Sequence, residues 1–93
     1  MMIMKKVSDY WFTIEPYVFV DIKNKHALLY NTLDGVTIES TNDKIIEILH
    51  KTLQEENCGV TLLTNEQYQQ KEINCFICEL REKFMGDVID VSL

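Results

Sequence analysis

An α+β fold is what this chain predicts: short β-rich runs divided by close turns come first, and amphipathic helical patterns follow. Three observations carry the expectation. Asn24-Lys25 divides two runs rich in Val, Tyr, Phe and Leu; Asp34-Gly35 divides the second from a third; and Ser40-Thr41-Asn42-Asp43 opens a stretch whose apolar residues recur at helical spacing.

The first two strands are expected at 17–23 and 26–31, joined by a two-residue turn with Asn in its first place. Alternation puts Val18, Val20 and Ile22 on one face and Tyr17, Phe19 and Asp21 on the other. Gly35 tolerates positive φ, so the chain can reverse again into Val36, Thr37, Ile38, Glu39 and Ser40. The expected product is a three-stranded antiparallel meander, with 11–15, ahead of Pro16, as a candidate extension.

Residues that cap helix N-termini crowd 40–43, and Ile45, Ile48, Leu49, Thr52 and Leu53 then predict a helix over 43–54, ending near Asn57-Cys58-Gly59. A short additional strand is expected at 60–63. Thr64 and Gln67 have the spacing of a capping box and start a short helix or turn. Over 71–85, Ile73, Phe76, Ile77, Leu80 and Phe84 fall within an arc of about 100°, the core face of a last helix. Gly86-Asp87 ends it, and 87–92 reads as another strand. The order is compatible with a winged-helix-like arrangement in a single domain, read as the N-terminal fragment of a longer protein.

Composition narrows the function. The chain has 93 residues and a formal net charge of −6, which repels a polyanion, and the last helix mixes Arg81 and Lys83 with Glu79 and Glu82, so no nucleic-acid partner is expected. No apolar run approaches the roughly 20 residues that span a bilayer. The start, MMIMKKVSDYW, lacks the order of a signal peptide, and three cysteines form no framework of pairs. No membrane partner and a cytoplasmic location are expected.

Motifs that carry chemistry are weak. Cys75-Phe76-Ile77-Cys78 has the spacing of half a zinc site, with Cys58 and His50 as the only plausible further ligands, but no second pair accompanies it. The expectation is semi-buried thiols, with no metal and no cofactor. A redox pair belongs at a helix N-terminus, and this one lies mid-helix. His26 and His50 have no nucleophile beside them in sequence, and no phosphate loop or nucleophile elbow occurs. A non-catalytic protein is expected.

What remains is surface. The strand at 36–40 is last in the meander and leads straight into a helix, so its outer amides and carbonyls are expected to be unpaired. It contains no Pro and a single charge, Glu39. Such an edge either is covered or accepts an extended peptide as a fourth strand. Ile38→Pro would probe it, provided that the Ile38 amide faces outward.

The stretch YWFTIEPYVFVDIKNKHALLYNTLDGVTIES, together with ELREKFMGDVID, resembles the N-terminal part of the pseudo-radical-SAM proteins of Bacteroidales peptide-modification systems. YVF, ALLYNTL and FMGD weigh most. The order of strands and helices resembles the PqqD-like leader-peptide recognition domain, or RiPP recognition element. Gly59 to Leu63 departs from that pattern, reading as a strand where many leader-binding domains place a clear second helix. The resemblance implies a winged-helix-like fold whose third strand and last helix clasp the leader of a ribosomally made precursor peptide and present it to a radical-SAM-type modifying enzyme. It implies an edge made of Val36, Thr37, Ile38, Glu39 and Ser40, faced by a wall drawn from Asn74, Cys75, Cys78, Arg81, Glu82 and Met85. The alternative is a structural or assembly domain that docks this edge on a body missing from the chain or on a second copy in a homodimer.

Overall fold

A computed structural model of the chain describes residues 9–90 and has six strands and three helices. In chain order these are β1 (Tyr10–Ile14), β2 (Val18–Lys23), β3 (His26–Asn31), β4 (Thr37–Ser40), α1 (Asp43–Leu53), β5 (Val60–Leu63), α2 (Asn65–Gln69), α3 (Lys71–Glu82) and β6 (Gly86–Asp90). They form two separate three-stranded antiparallel sheets, ordered β2-β3-β4 and β5-β1-β6. The class is α+β. The segment at 11–15 does not extend the first of these sheets: β1 is the centre of the second, between β5 and β6. The last residues of the strand expected at 87–92, and the N-terminal MMIMKKVS, lie outside the described residues.

The local signals account for the β2-β3-β4 sheet. Asn24 and Lys25 have φ of 48° and 63°, the pair of positive values that a tight two-residue hairpin requires. Gly35, at φ 79°, completes the second reversal. Val20, Leu29 and Ile38 then stand opposite one another in a single row. That row faces the helices.

Asn42 caps α1, its side-chain oxygen accepting from the Lys44 amide at 2.9 Å and the Ile45 amide at 3.1 Å. Ile45, Ile46, Ile48, Leu49 and Thr52 are the buried residues of this helix, and the Thr52 hydroxyl donates to the Ile48 carbonyl at 2.7 Å, which satisfies it without a partner outside the helix. Leu53 stays exposed and lines a hollow with Ile14, Val18 and Gly59, while the helix packs against β5, α3 and β1. The chain leaves α1 through a 3-10 turn, Glu55–Asn57, and reverses at Cys58 and Gly59, both at positive φ. At Thr64 both bonds of the capping box form.

The end of α3 differs from the periodicity. Phe84 is 75% exposed, not part of the core arc. The physical reason is a Schellman cap: the Met85 amide donates to the Leu80 carbonyl at 2.9 Å and the Phe84 amide to the Arg81 carbonyl at 3.2 Å, which puts Phe84 at φ 59° in the left-handed position that glycine usually takes. The reversal turns Phe84 outward and drives Met85 inward against Leu80, both fully buried. The carbonyls left over at this helix end are met from the other sheet. The Asn31 side-chain amide donates to the Lys83 carbonyl at 3.4 Å, and the Tyr17 hydroxyl donates to the Phe84 carbonyl.

One core joins everything. Phe12 and Ile14 from β1, Leu29 and Ile38 from the first sheet, and the buried faces of α1 and α3 meet in it. Gly86 is required where β6 enters: a Cβ there would lie 2.6 Å from the Thr13 carbonyl oxygen. On the opposite face of the second sheet Leu62, Trp11 and Ile89 lie side by side across the three strands, and all three are exposed.

Candidate functional site

β4 is the last strand of its sheet, and among the described residues no strand pairs with its outer side. The Asn31 amide donates to the Val36 carbonyl at 2.8 Å. From there the two-residue repeat of an antiparallel ladder turns the main-chain groups of Ile38 and Ser40 toward β3, and those of Thr37 and Glu39 outward. The condition attached to Ile38→Pro therefore fails: its amide faces inward and its side chain is buried in the core. The outward donors are Thr37 and Glu39. Val36 precedes the strand and is half-buried, its own amide tied to the Asp34 carboxylate at 3.0 Å.

Beside this edge runs an open groove of about 310 Å³. Glu39, Ser40, Thr41 and Asn42 form one side of it, Ile45 and Phe76 its apolar floor, and Glu72, Cys75 and Glu79 of α3 the other side. β4 and α3 border a common groove. The wall is not the expected one. Of the six residues named for it, Cys75 alone lines the groove.

Spacing along α3 explains the difference. Glu72, Cys75 and Glu79 share one flank of the buried stripe; Asn74, Cys78 and Arg81 share the other. The second flank is turned toward α2 and β6: Asn74 donates to the Tyr68 carbonyl at 3.2 Å, Cys78 donates to the Asn74 side-chain oxygen at 3.7 Å, and Arg81 donates to the Asp87 carboxylate at 2.7 Å. That bond holds the Arg81 guanidinium charged more firmly than usual. Glu82 is exposed at the last turn, outside the groove lining, and Met85 is 0% exposed, a core residue. Glu79 reads in the sequence as part of a solvated acidic face together with Glu82; Glu72, which lines the groove beside it, carries no signal of its own.

The groove is acidic. The Glu39 carboxylate accepts from the His26 ring nitrogen Nε2 at 3.0 Å, and both side chains are exposed. The Glu72 and Glu79 side chains make no hydrogen bond or ion pair among the described residues, and no Lys or Arg lines the groove. The positive end of α1 nearby is already occupied by the Asn42 side chain. At the other edge of the sheet, β2 carries Asp21 and Lys23, 3.9 Å apart, charges of the kind that guard an exposed strand.

The thiols of Cys58, Cys75 and Cys78 are exposed, not semi-buried as expected. Among the described residues no three His, Cys, Asp or Glu side chains gather as a metal site would require, and no helix is long and apolar enough to cross a membrane. Comparison of the chain with protein-family models, with curated proteins and with solved structures gives no match.

Proposed function

We propose that this protein is a non-catalytic peptide-capture module, in which an extended segment adds to β4 as a fourth strand and lies in the groove before α3. Its occupant is the leader of a ribosomally made precursor, which the module presents to a radical-SAM-type modifying enzyme in the cytoplasm; the sheet and helices act as a winged-helix-like clasp. The observation that carries this reading is the outward pair of main-chain donors at Thr37 and Glu39 beside a groove with an apolar floor. The leader, the enzyme and the winged-helix comparison rest on the resemblance of the sequence.

The test uses Thr37→Pro, which deletes an outward amide donor at an edge where proline is tolerated. A dodecapeptide selected from a displayed library, or the leader of a precursor encoded beside this chain, should bind the native protein and slow exchange of the Thr37 and Glu39 amides. Thr37→Pro should weaken that binding at least about tenfold, the loss of one well-made hydrogen bond and its neighbours, with the helical circular dichroism unchanged. Equal affinity for the variant would reject strand addition.

A second reading is an assembly domain whose edge pairs with another copy or with a further body. The exposed Leu62–Trp11–Ile89 row favours docking of some kind. Self-pairing at β4 is disfavoured by charge, because a two-fold pairing would bring the two acidic grooves together. Light scattering that gives a dimer across micromolar concentrations would support this second reading.

A further inference from the structure

We infer that the segment captured at β4 is basic, with Lys or Arg at alternate positions; this rests on the strand-capture reading above and specifies its ligand. In an added strand every second side chain points to the helix side of the sheet. There it would meet a floor of Ile45 and Phe76 rimmed by Glu72 and Glu79. A long cationic side chain fits both parts, laying its methylene stem on the apolar floor and its charged head against a carboxylate.

Spacing agrees with chemistry. Glu72 and Glu79 are two helical turns apart, roughly 10 Å, and same-face residues of a strand are roughly 7 Å apart; flexible Lys or Arg side chains span the difference. Both carboxylates are without a partner among the described residues, so neither must break an existing ion pair to accept one. A glutamate at the same peptide position would face two like charges, and a neutral residue would leave both rim carboxylates uncompensated. The net charge of −6 adds a long-range attraction of the same sign.

Three labelled ten-residue peptides test the inference, identical in an alternating pattern except that the inward set is Lys, Gln or Glu. The Lys peptide should bind most tightly, slow exchange of the Thr37 and Glu39 amides, and weaken as salt rises from about 50 to 300 mM. In E72Q/E79Q its affinity should fall about fivefold or more, two exposed charge pairs being lost, while the Gln peptide is unaffected. E47Q/E56Q removes the same charge outside the groove and should change affinity less than twofold if the contact is local. Binding of the Gln or Glu peptide at the β4 edge as tight as that of the Lys peptide would overturn the basic preference and leave strand capture standing. So would equal losses in the two double variants. Should no peptide bind, or the Lys peptide bind without slowing the edge amides, strand capture and the basic preference fall together. Protection of those amides that grows with protein concentration alone would identify a second copy as the occupant and overturn the proposal.

Discussion

The two sheets enclose the same core but do different work. In β2-β3-β4 each strand pairs with its neighbour in sequence, and the price of closing each loop is small. In β5-β1-β6 the central strand comes from the start of the chain, one neighbour from its middle and the other from its end. The second sheet therefore locks the whole chain, while the first serves as a frame whose last strand is left open. Substitutions where the second sheet closes, or where the first is tied to it, should cost stability throughout the molecule, and substitutions at the open edge of β4 should cost binding.

Gly86→Ala is expected to have the largest effect. The new methyl would press on the Thr13 carbonyl at 2.6 Å and on Leu80 and Ile14 side chains at 3.3 and 3.4 Å, a backbone clash that cannot be relieved by one rotamer. A loss of about 3 kcal/mol is expected in urea denaturation, with circular dichroism and amide exchange in both sheets shifting together. Melting confined to β5-β1-β6 would break the comparison.

Asn31→Ala comes next. Asn31 is almost fully buried at the end of β3, where its side chain accepts from the Leu33 amide at 2.8 Å and reaches the Lys83 carbonyl after α3, tying the first sheet to the helix that leads into the second. Removing it orphans those groups and should cost about 2 kcal/mol. A loss below about 0.5 kcal/mol would mean that Asn31 does not tie the first sheet to the end of α3. Phe84→Gly should act in the opposite direction, raising stability by up to about 1 kcal/mol, because it removes a side chain from a left-handed position and gives up little buried surface.

The smallest effect is confined to alkaline pH. Loss of hydration, reinforced by the carboxylates of Glu15 and Asp34, raises the Tyr17 phenol above its ordinary value of 10.0. A raised folded value favours the protonated phenol in the folded state, so its contribution is present below pH 10.0 and is lost as pH climbs through the folded value. Tyr17→Phe should flatten that decline in a pH series of melting temperatures. An unchanged slope would show that the Tyr17 phenol is not raised in the folded protein.

Legibility in the sequence follows the same division. The hairpin at Asn24-Lys25, the reversal at Gly35, the Asn42 cap region and the Thr64 capping box are local chemistry, and each forms where its residues predict. The partners of β1 were not legible, because alternation reports which side chains share a face and says nothing of which distant strand lies alongside. The groove was half legible. Periodicity located the buried stripe of α3 but does not say which flank of it borders β4, and the resemblance implies Asn74, Cys78 and Arg81 where Glu72 and Glu79 stand. Phe84 and Met85 exchanged roles because a backbone reversal, which no apolar pattern encodes, intervenes between them.

Trp11 is the only tryptophan in the chain, and it stands on the far side of β1 from the helices and the groove. Its emission is thus a gauge of the long-range sheet: quenching by iodide should be the same whether the groove is filled or empty, and should change when that sheet comes apart or its outer face is covered.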